Sequence, residues 1–337
     1  MGGPTVLISP DSLKGCLPAA DAAAAVAAGV TAARPEAAVI QIPLSDGGEG
    51  LVEVLRNSRG GELRCANVSD PLGRPTEAQY LVQPDGLAVT ESAQAIGLTL
   101  LSTDELDPFR ASSRGLGELL AHIGADPDVR ELVLGVGGVA TVDGGVGLRE
   151  VLPTLPIPVR VASDVRNPLL GERGAAAVFG PQKGASPSDI VHLERRLADL
   201  DHPADVRDHP GAGAAGGLGA MLLAMGAQIE SGIDLVLSLT GWAEAATSAD
   251  LVVTGEGTVD LSSTEGKVVS GVIAAAIGLP VVVFGGRVHA DGAAALRRLG
   301  AADVVPLSGN ITAAADDLRR LGEEVARQLP APNRVRS

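Results

Sequence analysis

The sequence predicts an α/β protein built from two different α/β domains, the second inserted into the first. Three observations carry this. Short apolar runs alternate with alanine-rich helical stretches over the first 60 residues, and again over roughly the last 90. That alternation is the pattern of a parallel sheet with helices on its faces. The middle of the chain breaks it, and 337 residues is a length for about two domains. One domain is therefore expected from residues 1–60 together with 245–337, and an inserted one from 61–244.

Taken in order, residues 5–8 form an apolar run that reads as a strand. Residues 17–33 are alanine-rich and helical, with Pro18 near the start, where proline is tolerated. A second strand is expected at 39–42 and a second helix at 50–57. Residues 62–68 and 77–82 flank Pro71-Leu72-Gly73, which suggests an antiparallel pair. Residues 131–135 read as a buried strand entering a glycine-rich turn, 159–162 as a short strand ending near Asp164, and 189–200 as a helix. The closing part reads strand 251–254, helix from Lys267, strand 281–284, helix from Asp291, strand 304–306 and helix from Thr312. The 19 residues 268–286 carry no charge and are long enough to raise a membrane span. Gly278 and Pro280 interrupt them, so helix, turn and buried strand is the better reading.

Composition narrows the function. With 26 basic against 41 acidic residues the net charge is −15, which argues against nucleic acid or an anionic membrane as partner. Only Tyr80, Trp242 and three phenylalanines are aromatic, so Ala, Val, Leu and Ile must fill the core. Cys16 and Cys65 make neither a disulfide framework nor a zinc pattern. The N-terminus runs straight into a strand-like segment without a signal-peptide pattern, so a cytoplasmic protein is expected.

An acidic protein that handles an anion must place its cations deliberately. Of the 26 basic residues only three are lysines, Lys14, Lys183 and Lys267, and each adjoins a glycine. A lysine is a compact charge suited to phosphate, and a flanking glycine lets backbone come close. Four glycine-rich loops accompany them, over 45–50, 135–145, 211–219 and 254–260, and three contain a carboxylate. Successive glycines expose N–H groups that cradle anions. Phosphoryl transfer also needs a magnesium ion held by one or two carboxylates and a residue that orients the attacking hydroxyl. Asp11, Asp46, Asp143, Asp164 and Asp260 each follow a strand-like run or lie in a glycine loop, where open α/β sheets bind ligands.

Other signals fail. Gly266-Lys267 is followed by Val268 and has Leu261 where a P-loop needs its first glycine. The spacing Gly135-x-Gly137-x-x-Ala140 fits a dinucleotide fingerprint, but Gly144, Gly145 and Gly147 would crowd the required helix. Gly211-x-Gly213-x-x-Gly216 follows His209-Pro210 rather than a strand. The five histidines form no metal-binding pair.

At these residues the sequence resembles the bacterial glycerate kinase family. Residues 9–15, Ser-Pro-Asp-Ser-Leu-Lys-Gly, resemble the family's opening motif, and residues 45–50 its Ala-Asp-Gly-Gly-Glu-Gly. Residues 70–73, 91–97, 112–118, 135–145, 163–168, 179–184, 210–219 and 254–267 match further family segments, in order and with agreeing spacing. All three lysines fall inside these motifs. The resemblance implies a kinase of D-glycerate that uses ATP and Mg²⁺, with two α/β domains, one of them flavodoxin-like. Its partner would be a small hydroxy acid, and a homo-oligomer stays open.

On this reading Lys14, Lys183 and Lys267 serve the substrate carboxylate and the nucleotide phosphates. Gly137, Gly138, Thr141, Gly144, Gly145, Gly213, Gly216 and Glu256 are expected around ATP. Asp46 and Asp260 are expected at Mg²⁺, and Asp164 or Asp11 would orient or deprotonate the hydroxyl. The chain departs from the family at Val139 and Val142, where polar groups are lost, and at Thr258, where a cation is lost. Against the family, the segment between the glycine loop and Asp164 is shortened here to residues 148–160. Those departures leave two alternatives: a kinase of another small hydroxy acid or polyol, or an inactive homologue that binds a phosphorylated ligand.

Overall fold

A computed structural model describes residues 3–329. Its strands are β1 (Thr5–Ile8), β2 (Ala38–Gln41), β3 (Glu62–Ser69), β4 (Pro75–Val82), β5 (Leu87–Glu91), β6 (Glu131–Gly135), β7 (Val159–Ala162), β8 (Gln228–Glu230), β9 (Leu251–Val259), β10 (Val281–Val288) and β11 (Asp303–Pro306). The chain divides into two compact units. The first holds residues up to Asp46, then Glu53–Ser58, then Ile233 onward; the second holds Gly47–Val52 and Arg59–Gly232.

The first unit carries a five-stranded sheet in the order β11-β10-β9-β1-β2, with every pair parallel. From β1 the chain first builds outward to β2, then returns to β1's other side and builds β9, β10 and β11. This is the flavodoxin-like order, and it puts a topological switch point between β1 and β9. Val6, Ile8, Val253 and Phe284 on the sheet and Val26, Val30, Leu318 and Leu321 on two helices form its core. Those helices, Ala19–Ala33 and Ala314–Gln328, approach through glycine. A Cβ on Gly29 would lie 1.9 Å from the Arg319 carbonyl oxygen, and one on Gly322 would lie 2.2 Å from that of Val26. The small side chains of the alanine-rich segment are what permit this contact.

The charge-free stretch resolves into helix Val268–Ala275, a turn with Gly278 at φ +78°, and β10. No helix among the described residues is long and apolar enough to cross a membrane.

The second unit carries a six-stranded mixed sheet in the order β3-β4-β5-β6-β7-β8. The expected hairpin is present, with Ala66 opposite Ala78. From β5 to β8 the pairs are parallel. Strands β5 and β8 went unread in the sequence. β5 is followed at once by Ser92 and the short helix Ala93–Ile96, and β8 is only three residues long. Leu116, Leu119, Leu134, Val161 and Leu218 are among the core side chains beside this sheet.

One loop reading and one strand end need correction. Residues 254–260 are not a loop at the end of a strand: β9 continues to Val259, and β10 likewise runs past 284 to Val288. Gly255, Gly257, Gly285 and Gly286 read as breakers, but the ladder pairing of Glu256 with Gly285 and of Thr258 with Arg287 holds them extended. After β6, by contrast, no helix begins until Val146, and Gly144 and Gly145 are left-handed at φ +64° and +78°. A dinucleotide-binding turn is therefore absent there.

Candidate functional site

In the first unit, the loop leaving β1 is pinned onto β9. The buried Trp242 donates its indole N–H to Ser9 Oγ (2.9 Å), Thr254 Oγ1 donates to the Ser9 carbonyl (2.7 Å), and Asp11 N donates to the Gly255 carbonyl (2.9 Å). Next comes a tight turn in which Leu13 bridges Leu17 and Gly15 takes φ +71°, leaving Lys14 exposed. On the other side of the switch point, β9 ends in a capped 3₁₀ turn. Asp260 accepts from Ser262 N at 2.8 Å, and its own N–H donates to Ser263 Oγ at 3.1 Å. Lys267 follows at the start of helix Val268–Ala275 and donates to Ser262 Oγ at 3.0 Å.

These segments enclose a cavity of about 370 Å³. Six of the sequence-selected residues line it: Asp11, Lys14, Asp46, Glu256, Asp260 and Lys267. It lies at the switch point, where open α/β sheets take ligands.

The carboxylates there differ in state. Burial lifts the Asp11 carboxyl to about 7, the negative charge of Asp46 adds to the shift, and the Ser12 N–H and Lys14 oppose it. Burial also raises Glu256, against the pull of the Ser263 hydroxyl and Lys267. Glu256 Oε1 is buried without a hydrogen-bond partner. Asp260 is held below the usual range, mainly by its bonds to Ser262. One acid is thus poised near neutrality beside one kept ionised. No group of three or more His, Cys, Asp or Glu side chains suited to a metal occurs among the described residues. A magnesium ion needs fewer protein ligands, since waters and substrate phosphates complete its shell.

The second unit gathers most of the remaining candidates, around the loop after β6. Asp143 organises that loop by accepting from Ser113 N and Oγ (2.8 and 2.7 Å), Gly145 N (3.1 Å) and Gly147 N (3.2 Å). Lys183 is only 2% exposed, and its ammonium donates to the Thr141 carbonyl at 2.7 Å. Burial lowers Lys183 to about 7, opposed by the charge of Asp143. Thr141 Oγ1 is buried with no partner. Gly144 N donates to the Gly216 carbonyl at 3.1 Å, within a turn where Ala215, Gly216 and Gly217 are all left-handed. Gly213 sits so close that a Cβ would lie 2.3 Å from the Pro168 carbonyl oxygen.

Gly137 N takes Ser92 Oγ as acceptor at 3.2 Å, and the Gly138 carbonyl accepts from Leu98 N at 2.8 Å. Three of the expected phosphate donors, the N–H groups of Gly137, Gly144 and Gly145, therefore have partners inside the unit. Asp164 accepts from Ser231 Oγ at 3.2 Å and Gly232 N at 2.9 Å.

The departures have physical explanations. Val139 and Val142 are buried core side chains, so their positions carry packing. Thr258 does line the cavity, and its register partner on β10 is Arg287, which lines it too. The cation missing from one strand stands on the next. Sequence reasoning overlooked Arg287 because β10 seemed to stop at 284. It also overlooked Asn310, although Gly309-Asn310 carries a turn signal after β11; Glu91, in the matched segment 91–97, was given no role. The buried Glu91 accepts from Val52 N at 3.0 Å, and burial raises its carboxyl.

A sequence model of the glycerate kinase family matches the chain over residues 6–155 and 152–330. The two spans meet inside the stretch that reads as shortened. An uncharacterized protein of Mycobacterium bovis is 41% identical, with 96% of this chain and 91% of the relative covered. A glycerate 2-kinase of Escherichia coli is 37% identical over 85% of this chain and 86% of its own length. The solved structure of a Salmonella typhimurium LT2 protein, described as a glycerate kinase 2, superposes with a TM-score of 0.83 at 33% identity, covering 97% of this chain and 98% of that one.

Proposed function

The chain belongs to the glycerate kinase family and is a kinase, and from that premise we propose that it transfers the γ-phosphoryl group of ATP to D-glycerate, at the 2-hydroxyl. The observation that carries this reading is the cavity at the β1/β9 switch point, with a near-neutral carboxyl, an ionised carboxylate and three cations on its walls. Phosphoryl transfer asks the protein mainly for position and charge. Lys14, Lys267 and Arg287 offset phosphate charge. Asp11 accepts the proton of the attacking hydroxyl, whose oxygen bonds to the γ-phosphorus as the bond to the bridging β,γ-oxygen breaks and ADP leaves. An acid with a pKa near the working pH suits that task. Asp164, bonded to Ser231 and Gly232, is the weaker choice for it.

Asp46 and Asp260 would hold a magnesium ion. They are hard oxygen donors on the cavity wall, and the buried, unpartnered Glu256 Oε1 beside them fits an additional donor to the ion or its water shell. Bound there, the ion would neutralise charge on the phosphates. Lys183 acts on the glycine loop from beneath, through the Thr141 carbonyl. Arg287 opposite Thr258 supports an active enzyme over an inactive homologue. The net charge of −15 and the two free cysteines, Cys16 and Cys65, fit a cytoplasmic enzyme.

The test is ADP release from Mg-ATP with and without D-glycerate, with phosphorus NMR of the product. Release that requires glycerate and yields 2-phosphoglycerate is expected. Release only with another hydroxy acid or polyol would replace the substrate, and phosphate at the 3-position would replace the regiochemistry. Asp11→Asn should lower kcat by roughly 10²- to 10⁴-fold. The ionised base makes wild-type turnover rise with pH and level off above about 7. That acid limb should vanish in Asp11→Asn, and a retained limb would move the base elsewhere.

A further inference from the structure

We infer that the switch-point cavity of the first unit is the nucleotide site, with the purine of ATP against Leu13, Leu307 and Ile311 and its phosphates toward Lys14 and Lys267. The identity of the nucleotide rests on the kinase reading above. Its placement rests on the cavity's two chemistries. The lining carries the charged groups already described. The lining also holds an apolar group: Leu13, Cys16, Leu307 and Ala314 pack in one cluster, and the Cys16 thiol meets the Ile311 carbonyl at 3.4 Å. Glycerate bears an oxygen on every carbon, so it has no face for such a wall. ATP has both an aromatic base and a polyanionic tail.

Size points the same way. A cavity of about 370 Å³ falls in the usual range for drug-sized ligands, roughly 300–1,000 Å³, and is far larger than glycerate needs.

Part of the lining is bare sheet. Gly257 on β9 and Gly286 on β10 both line the cavity and are neighbours across the ladder. A Cβ on Gly286 would lie 2.7 Å from the Gly257 carbonyl oxygen. Glycines in the interior of paired strands weaken them and mark where another group comes close to the backbone. Here they leave a flat patch on which a planar ring or a ribose can rest.

The rim supplies a polar reader. The side-chain carbonyl of Asn310 accepts from Thr312 N (3.1 Å) and Thr312 Oγ1 (2.9 Å). Two donors on one side-chain atom fix the amide's orientation and assign Nδ2 as its donor end. Adenine's ring nitrogens are acceptors for such a group. Next to it Ile311, though large and apolar, is 67% exposed. A stacked base would cover it.

The experiment is calorimetric binding of ADP to the full chain, without acceptor, for the wild type and for Ile311→Glu. Ile311 is exposed on a short 3₁₀ turn, so the variant should fold, which circular dichroism would check. ADP affinity is expected to fall about tenfold or more, and KM for ATP to rise in parallel while KM for the acceptor stays put. Photolabelling with 8-azido-ADP gives a second reading, with the label expected on the peptide containing Leu307 and Ile311. Unchanged ADP affinity in the folded variant would overturn the inference. So would label on the 137–147 loop, or a KM change confined to the acceptor. Failure of glycerate as substrate would leave the ADP results standing, so the two proposals fail separately.

Discussion

Lys267 and Lys183 both adjoin a glycine, and both lie within segments that resemble the same family. Their surroundings differ. Lys267 lines a cavity, with its ammonium on the Ser262 hydroxyl. Lys183 is sealed under a loop, with its ammonium on a main-chain carbonyl. The neighbouring carboxylates divide in the same way. Asp260 takes Ser262 N and faces the cavity, whereas Asp143 takes four donors from its own unit. A glycine beside a lysine thus marks close backbone approach but does not say to what. In the first unit the approach leaves charge on the wall of a cavity. In the second it fastens the protein to itself.

The sharpest way to break this contrast is Lys267→Ala. The side chain donates to one half-buried hydroxyl, so the melting temperature should hold within about 2 °C, the scale of a small ΔΔG. Activity should fall by about 10³-fold or more, roughly 4 kcal/mol of barrier. Calorimetry and steady-state kinetics on one preparation read both numbers. A folded variant with wild-type turnover would remove Lys267 from the site.

The converse test is Asp143→Ala. It strands the hydroxyl proton of Ser113, whose oxygen still accepts from Leu148 N, and three backbone N–H groups, all buried, and leaves the buried Lys183 without the charge that opposes its desolvation. Lost hydrogen bonds and stranded donors should cost about 2–4 kcal/mol in urea unfolding. A smaller loss, with activity abolished, would mean that Asp143 serves a ligand and that the contrast between the units is wrong.

Much of this was legible in the chain, and what was not has a physical cause. The parallel sheet of the first unit announces itself because buried parallel strands are short, continuous apolar runs such as Val281–Phe284. The fold class could be read, and with it the carboxylates and lysines that follow the strands of the switch point. The extensions of β9 and β10 could not. Their glycines argue locally for turns, and only the ladder between the strands overrides that. Arg287 was lost with them. The burial of Lys183 was equally invisible, since nothing in Gln182-Lys183-Gly184 says whether the ammonium meets water or Thr141. The apolar part of the cavity lining comes from segments nearly 300 residues apart, Leu13 and Ile311, and no spacing rule connects those.

The smallest expected effect tests that burial directly. A lysine lowered to about 7 in the folded state, against an ordinary 10.5, is more protonated in the unfolded chain at every pH between those values. The unfolded state then binds more protons, so the free energy of unfolding rises with pH across that window. In Lys183→Met the titrating group is gone and an apolar side chain of similar length takes its place, a replacement that buried charges often tolerate. Urea midpoints at about pH 7 and about pH 9.5 should therefore show the wild type gaining on the variant as pH rises. The difference between the two proteins cancels the titration of groups they share, Asp11 among them. Parallel midpoints would mean that the Lys183 ammonium keeps an ordinary pKa. It would then be solvated or paired much as Lys267 is, and the two lysines would be alike after all.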